Sequence, residues 1–379
     1  MSAAPLKILI TNVWLDGRGG TESVVRDLAI GFLSRGHRPI VYSPHLGAPA
    51  RELHARGVAV ISDLSQMGEA PDVIHGHHYI QTIEAILHFP EVPVVSMIHA
   101  WPFFQEKAPQ FPQVYRYLAV DDTVRDRLVH SESVDPAKVE VLLNAVDLAR
   151  IPPRPRPLSA RPRTALAFTK NKAQIPILQA ACDQAGVKLE LLGIGAGRLV
   201  AEPEEELVQH DLVFATARMA LEALCAGCAV VVCDARGLAG MVTPETLPRL
   251  RDLNFGLRSL TRRVTVEAVA AEVARYDPVQ ATLVSQQVRK SANLEGALDR
   301  LEALYREAIA AFATKAPDEA QRRKAMLAFL TETLPRRRSD ERWPWIAERE
   351  SLLAQIRNLD HQLAHARTGL KTGGDAEPA

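Results

Sequence analysis

The segment KILITNVWLDGRGGTESVVRDLAIGFLSRGH, residues 7–37, joins a β-branched run to an amphipathic run through a loop that contains two adjacent glycines. This pattern predicts a buried strand, a tight turn and a helix over residues 22–35. The first turn of a helix favours an anion, and Gly19 with Gly20 would let a phosphate approach the backbone there. A plain turn between strand and helix explains the same residues equally well.

The alternation continues along the first 150 residues. Further β-branched runs (PIVYS, VAVIS, DVIHG, VPVVSMI and RYLAV) alternate with amphipathic stretches such as residues 80–88. Strands that alternate with helices predict a parallel sheet covered on both faces. The run IPPRPRPLSARPR, residues 151–163, is too rich in proline for a helix or a central strand, so it is predicted to be a linker.

A second alternating unit follows the linker, with strand candidates TALAFTK, KLELLGIGAG, DLVFATA and AVVVCDA, and the pattern becomes helical after residue 265. The predicted fold class is therefore α/β, with two Rossmann-like domains whose parallel sheets face a central cleft, plus C-terminal helices. In the last predicted helix Leu352, Ile356, Leu359 and Leu363 form a short coiled-coil seam. The predicted divisions are residues 1–150, the linker at 151–163, 164–315 with closing helices, a helical extension at 316–370, and a disordered tail at 371–379.

Composition excludes several classes of protein. A chain of 379 residues that is 47% hydrophobic suits two domains with an appendage. Lys and Arg together number 45, as do Asp and Glu, so the basic excess typical of nucleic-acid binding is missing. No apolar run is long enough to span a bilayer, and MSAAPLK lacks a signal-peptide core, so we expect a cytoplasmic protein. The run PRRRSDERWPWI, residues 335–346, either touches the inner face of the membrane or is a solvated basic linker.

Three sequence motifs suggest a metal, redox or dinucleotide site, but the residues around each motif do not support one. Cys225 and Cys228 form a C-x-x-C, but they lie where a helix runs into a buried strand and no second ligand pair is near. We therefore predict small buried hydrophobic side chains, and no zinc or redox site. GRGG is not a dinucleotide fingerprint, and no acidic residue closes PIVYS to hold a ribose. The histidines of IHGHHY have no carboxylate or cysteine at metal spacing, so no metal site is predicted.

Five segments occur in one order across the two halves: GGTESVVRDLAIGFLSRGHRPIVYSP, PDVIHGHHYI, VVSMIHA, VEVLLNAVDL and DLVFATARMALEALCAGCAVVVCDARGLAGMV. In this order the chain resembles the family 4 glycosyltransferases of the GT-B fold, over residues 7–147 and 164–245. The resemblance implies transfer of a sugar from a nucleotide diphosphate sugar to a glycan or lipid-linked acceptor. It further implies retention of configuration, with no metal and no cofactor beyond the donor, which is a co-substrate.

The resemblance also implies a donor site in the second half. Lys170 and Lys172 of LAFTKNKAQ match the basic pair that stabilises the diphosphate leaving group. Gly193 and Gly195 of GIGAG match a glycine turn against which the nucleotide lies. Glu222 matches the glutamate that accepts hydrogen bonds from the donor ribose, although a solvated helix glutamate is the alternative.

The sequence departs from the family at two positions. The second glutamate of the family, eight positions before Glu222, is Phe214 here, and Arg218 is expected to replace the lost contact with phosphate or sugar. Asp121 stands where the family usually has serine. These departures leave the donor sugar and the mechanism open.

On the acceptor side, His99 of SMIHA matches the family histidine near the donor sugar, and with Gly19 and Gly20 it forms the predicted catalytic set. His77 is expected to face the acceptor in the cleft. For both histidines the alternative is a satisfied core residue.

The expected partners are the nucleotide-sugar donor, the acceptor, and a second copy of the chain bound through the C-terminal helix. Two other classes of function remain open at this point. One is a GT-B-like nucleotide-sugar 2-epimerase. The other is a non-catalytic scaffold, which Phe214 and the coiled-coil seam would suit.

Overall fold

The predicted strands assemble into two separate sheets. The computed structural model describes residues 4–17, 19–101, 103–169, 172–198, 200 and 203–333. The chain divides into two compact units, Met1–Arg322 and Arg323–Ala379, and both sheets belong to the first unit. Of the second unit, residues 323–333 are described and are helical. The predicted coiled-coil seam, the PRRRSDERWPWI segment and the predicted tail lie outside the described residues.

The first half begins the alternation of strands and helices. Its elements are β1 (Lys7–Thr11), β2 (Trp14–Leu15), α1 (Gly20–Ser34), β3 (Arg38–Tyr42), β4 (His45–Leu46), α2 (Ala48–Ala55), β5 (Ala59–Ile61), β6 (Val73–His77), α3 (Tyr79–His88), β7 (Val94–Ile98), β8 (Val114–Ala119), α4 (Asp122–Asp126) and β9 (Val139–Val141).

The second half repeats the alternation and ends in helices. Its elements are β10 (Thr164–Phe168), α5 (Ile175–Ala185), β11 (Lys188–Leu192), α6 (Pro203–Leu207), β12 (Leu212–Ala215), α7 (Ala217–Cys225), β13 (Ala229–Asp234), β14 (Gly237–Met241), α8 (Leu247–Asp252), α9 (Val266–Ala274), α10 (Pro278–Ser291), α11 (Leu294–Thr314) and α12 (Glu319–Thr333).

The sheet of the first half is parallel throughout, in the order β5-β3-β1-β6-β7-β8-β9. Consecutive residues Ile8, Leu9 and Ile10 of β1 are all fully buried, although their side chains point to opposite faces of the sheet. Burial on both faces requires helices on both sides, as in other parallel sheets. The α/β fold expected from the alternating pattern is therefore confirmed for this half.

The sheet of the second half has the order β11-β10-β12-β13-β14 and contains one antiparallel strand. Only residues 235–236 separate β13 from β14, and a connection this short permits a hairpin but no parallel crossover. The Asp234 side chain stabilises the turn by accepting the N–H of Arg236 at 2.8 Å. The parallel sheet expected for this half is confirmed in the other four strands, and β14 adds an antiparallel edge that was not predicted.

Helix α11 returns from the second half to cover the sheet of the first, against β6, β7, β8 and α1. Its Tyr305 is fully buried, packs 5.4 Å from the Phe32 ring, and its hydroxyl lies 2.7 Å from His75 Nδ1. A Cβ on Gly31 of α1 would lie 2.6 Å from a methyl group of Leu298, so glycine at this position permits the close approach of the two helices. The first sheet is therefore completed by a helix that comes late in the sequence.

The cysteines behave as hydrophobic core residues. Cys182, Cys225, Cys228 and Cys233 are all unpaired and fully buried. Burial raises the pKa of the Cys225 and Cys228 thiols to about 12, so both stay protonated and unreactive near neutral pH. The prediction of buried hydrophobic cysteines is confirmed. Within the part of the chain that the structure describes, no helix is long and apolar enough to cross a membrane.

Candidate active site

Two of the predicted site histidines meet at the carboxyl edge of the first sheet. His77 ends β6 and His99 directly follows β7, the neighbouring strand. Their rings stack with centroids 4.9 Å apart, and His77 Nδ1 lies 2.6 Å from His99 Nε2. Burial, with the other histidines nearby, holds the pKa of both rings well below the usual value, so both are neutral at physiological pH. His77 is fully buried, whereas His99 is partly exposed, and His77 therefore orients His99.

Glu106 joins this histidine group and was not predicted from the sequence. Its Oε2 accepts the backbone N–H of His99 at 2.7 Å, and its Oε1 lies 3.7 Å from His78 Nε2. Burial raises the pKa of Glu106 to about 7, against the opposing effects of backbone N–H groups and of Arg127. His78 has a strained φ of +65° and a pKa lowered by burial to about 4. The only sequence signal for Glu106 was an acidic residue within the apolar loop HAWPFFQEK.

The predicted glycine pair opens helix α1. Gly20 is its first residue, and no atom lies within 4 Å of where a Cβ on Gly20 would stand. Gly19 is different, because a Cβ there would collide with the carboxylate of Glu22. The first turn of α1 therefore already has a carboxylate beside it, and a phosphate would have to displace the Glu22 side chain. The phosphate role of the glycines stays a prediction.

Glycines also shape the loop after β11 in the second half. Gly193 has a φ of +110°, and a Cβ on it would lie only 2.5 Å from the Thr169 carbonyl oxygen at the end of β10. The N–H of Gly195 donates to that same oxygen at 3.0 Å. The two glycines therefore bring this loop against the end of β10, and their contact with a nucleotide stays a prediction.

The segment that follows β10 carries the predicted diphosphate ligands. Lys170 lies outside the described residues, and Lys172 is exposed just before α5. Because β10 and β12 are neighbouring parallel strands, this segment and the start of α7 lie at the same edge of the sheet. The assignment of the lysines to the diphosphate stays a prediction.

Glu222 belongs to a buried cluster of charges at the boundary of the two halves. Its Oε1 accepts hydrogen bonds from Arg150 at 2.8 Å and from Arg218 at 3.0 Å. Arg218 also forms a short ion pair with Asp27 of α1, and Arg150 forms one of 2.9 Å with Glu204. Burial acts to lower the pKa of Arg218, but the carboxylates of Asp27 and Glu222 outweigh it and leave that pKa raised.

The ion pairs of this cluster limit how the Arg218 guanidinium can bind a donor. The guanidinium is occupied by two carboxylates and by the carbonyl oxygen of Ala145, at 3.3 Å. A cavity of about 20 Å³ beside Arg218 and Asp27 has room for about one water molecule and none for a sugar. The predicted contact of Arg218 with phosphate or sugar would therefore require these pairs to rearrange.

The two departures from the family now have structural explanations. Phe214 of β12 is fully buried in the hydrophobic core between Ala167, Leu178 and Val231, so no polar group faces the donor from this position. Asp121 caps helix α4, since its Oδ1 accepts the N–H of Val124 at 2.8 Å. Serine and aspartate are both strong helix caps, so this substitution preserves the local structure.

Among the residues that the structure describes, no three His, Cys, Asp or Glu side chains converge in a way that could hold a metal ion. The cations of the cluster described above are arginines, and each of them is already paired with carboxylates.

Comparison with known proteins agrees with this architecture. Residues 18–150 match the family model described as Glycosyltransferase Family 4. No curated protein is significantly similar to the chain. A glycosyltransferase from Rickettsia africae ESF-5 has 12% identity and a TM-score of 0.57, covering 81% of this chain and 99% of its own.

HepE from Anabaena, solved in complex with UDP, has 13% identity and a TM-score of 0.55, and the match covers 80% of this chain and 100% of that one. Its complex with UDP and glucose has 14% identity and the same TM-score of 0.55, over 79% and 99% of the two chains. At these identities the structures establish a shared fold. Together, the match of residues 18–150 to family 4 and the fold that both halves share with solved GT-B glycosyltransferases support a divergent glycosyltransferase similar to family 4.

Proposed function

We propose that the protein transfers the sugar of a UDP-sugar to a hydroxyl group of a glycan or lipid-linked acceptor, with release of UDP, retention of configuration and no metal ion. Transfer from a nucleotide sugar follows from the family and the fold. The choice of UDP is supported by HepE, a protein of the same fold that was solved with UDP and with UDP and glucose. Retention, the acceptor and metal independence follow from the family resemblance.

The observation that carries the proposal is the hydrogen bonding of the Glu222 carboxyl group. Two guanidinium groups hold its Oε1, which fixes the carboxylate in one orientation at the boundary of the two halves. No hydrogen bond reaches Oε2 among the residues that the structure describes. A carboxyl group with one oxygen held by guanidinium groups and the other without such a partner suits the vicinal hydroxyl groups of a ribose.

The leaving group needs positive charge that Glu222 does not supply. Negative charge builds up on the diphosphate as the sugar departs, and nearby cations stabilise that transition state. Arg150 and Arg218 are neutralised by carboxylates, so we assign this role to Lys170 and Lys172. In this mechanism the two lysines act on the diphosphate and Glu222 of the buried cluster acts on the ribose.

Titration calorimetry with uridine, UMP and UDP tests this division. Glu222→Ala should lose a charge-assisted hydrogen bond worth about 1.5–3 kcal/mol, and should bind all three ligands about 10- to 150-fold more weakly. Combined Lys170→Ala and Lys172→Ala should leave uridine binding unchanged while weakening UDP and lowering turnover. Glu267→Ala, which removes an exposed glutamate from the first turn of α9, is the matched control.

The products decide between classes of function. Release of UDP together with a glycosylated acceptor supports transfer, and the anomeric configuration of that product, read by NMR, tests retention. Epimerised donor without released UDP would instead identify a 2-epimerase. Equal UDP binding by the wild type and by both variants would place the nucleotide elsewhere, and no nucleotide binding at all would favour a scaffold.

A further inference from the structure

Four neighbouring strands of the first sheet end at the histidine edge in the order β3-β1-β6-β7. A large apolar side chain lies within four residues after the ends of β3, β1 and β7. Two phenylalanines follow the one after β7 within three residues. We call all these side chains the aromatic rim, and its members are Trp14, Leu46, Trp101, Phe103 and Phe104. Strands lie about 4.8 Å apart, so the four strand ends span about 15 Å.

The rim side chains stand in solvent. Phe103 and Phe104 are 58% and 56% exposed, and Trp14 and Trp101 are 40% and 41% exposed. These four are the only large aromatic residues that are so exposed within the described part of the chain. Exposed apolar clusters of this kind mark binding sites on soluble proteins.

The rim is continuous with the histidine site. The Trp14 ring lies 6.0 Å from the ring of His78, and Phe104 packs edge-on at 5.4 Å against Tyr79, which follows His78. Trp101 comes two residues after His99, whose N–H is held by Glu106. A molecule whose hydroxyl group reaches this histidine site therefore has the rim beside it.

The chemistry of the rim favours hydrocarbon over sugar. Apart from two indole N–H groups, its side chains offer no hydrogen-bonding group, and a sugar hydroxyl removed from water without a partner loses free energy. A hydrocarbon chain needs no such partner and gains from covering the rings.

We propose that the aromatic rim binds the hydrocarbon chain of an amphiphilic acceptor, whose hydroxyl-bearing head group lies at His99. This inference rests on the proposed function, because it names the class of acceptor that the same site takes. It assigns specificity to the rim and leaves the chemistry of transfer to the site behind it.

Two probes that share a head group test it: methyl β-D-glucoside and n-octyl β-D-glucoside, the latter kept below its micelle concentration. We expect the full chain to bind the octyl probe at least tenfold more tightly, by intrinsic tryptophan fluorescence or ligand-observed NMR. Combined Phe103→Ser and Phe104→Ser should remove that preference. Leu283→Ser should keep it, because Leu283 is 46% exposed on α10, away from the rim.

Transfer assays with both probes and UDP-glucose separate the two proposals. A preference in kcat/KM for the octyl probe that disappears in the double variant supports the rim. Transfer with equal use of both probes overturns the rim and leaves the proposed function intact. Octyl binding without any transfer or UDP binding overturns the proposed function while the rim still holds hydrocarbon.

Vesicles control for the membrane itself as the occupant. If phosphatidylcholine vesicles that contain no acceptor sediment the wild type but not the double variant, and the octyl probe does not bind, the rim docks on a bilayer and the acceptor assignment is wrong. If the octyl probe binds and the vesicles do not, the assignment stands. Loss of octyl binding in Leu283→Ser as well would also overturn it.

Discussion

At the carboxyl edge of the first sheet burial disfavours the charged forms of the polar side chains, whereas the start of α7 in the second half is held by side chains that are charged. At the first site, burial lowers the pKa of His75 to about 3 and of His78 to about 4, and raises that of Glu106 to about 7. At the second, Arg150 and Arg218 lie among the carboxylates of Asp27, Glu204 and Glu222.

The difference shows two ways to bury polar groups next to a cleft. Burial makes the charged form of the histidines unfavourable, so they hydrogen-bond as neutral rings even though Glu106 lies beside His78. The arginines keep their charge because carboxylates surround them, and Asp27, from the first half, takes part in the pairing. The charged cluster therefore joins the two halves, while the neutral site leaves its own half free to bind a ligand.

Removal of Arg218 is the strongest test of this contrast. Arg218→Ala would leave Asp27 and Glu222 as buried carboxylates with fewer partners, and should lower the free energy of unfolding by about 3–5 kcal/mol. Arg258→Ala breaks an ion pair with Asp126 that also joins the halves but is half exposed, and should cost at most about 1 kcal/mol. Urea denaturation of both variants measures the difference. Equal losses would show that the buried cluster contributes no more than a surface pair.

The Glu106→Gln variant tests the histidine site through the pH dependence of the free energy of unfolding. The carboxyl group of Glu106 faces His78, Arg127 and the N–H groups of His99 and Ala100, and its pKa rises from 4.5 to about 7 on folding. The folded protein therefore keeps a proton that the unfolded chain releases, and stability is lost as pH rises from about 4.5 to 7. Glu106→Gln should gain up to about 3 kcal/mol over the wild type at pH 8 and nothing at pH 4.

The neighbouring histidines act in the opposite direction, because their lowered pKa values cost stability only in acid. The measurement is therefore the difference between wild type and Glu106→Gln in urea denaturation across this pH range. A difference that stays constant with pH would mean that folding does not raise the pKa of Glu106.

Substitution of Gly193 tests how closely the loop after β11 packs against the end of β10 on the donor side. Gly193→Ala places a Cβ 2.5 Å from the Thr169 carbonyl oxygen at a φ of +110°, and should cost about 2–3 kcal/mol. Gly197→Ala has a φ of +69° but open space around its Cβ, and should cost about 1 kcal/mol. Thermal unfolding compares the two, and similar melting temperatures would remove the packing argument.

Gly20 should give the smallest effect on stability and a complete effect on activity. Because a Cβ at Gly20 meets no atom within 4 Å, Gly20→Val should change the free energy of unfolding by less than about 1 kcal/mol. Since Gly20 opens α1, where the glycine pair is predicted to admit a phosphate, the added side chain should abolish transfer. Gly68→Val, at an equally open position, should stay active. Early melting of Gly20→Val would instead support a purely structural turn.

The sequence predicted the central strands well because buried strands are runs of β-branched residues. The β-branched run that begins at Lys7 is strand β1, and the predicted strand AVVVCDA matches β13 to within one residue. Strand β14, GLAGM, was missed because two of its five residues are glycines, which carry no strand signal. The two-residue ladder of β2 and β4 is too short to leave a pattern.

The site was harder to predict than the fold, because its contacts join distant parts of the chain. Asp27 and Arg218 are 191 positions apart, and each looks like an ordinary polar helix residue in its own segment. The pairing depends on how two halves pack, which no local pattern records. His77 and His99 were predicted as candidates, but their direct contact follows from the pairing of β6 with β7.

The return of α11 onto the first sheet has a consequence for synthesis on the ribosome. The first half is complete in sequence by about residue 150, but the helix that buries His75 and Phe32 begins only at Leu294. At 5–20 residues per second, the first sheet waits about 7–30 s with one apolar face uncovered. We expect a chain cut after the linker to aggregate, and a ribosome-bound chain to depend on chaperones during that interval.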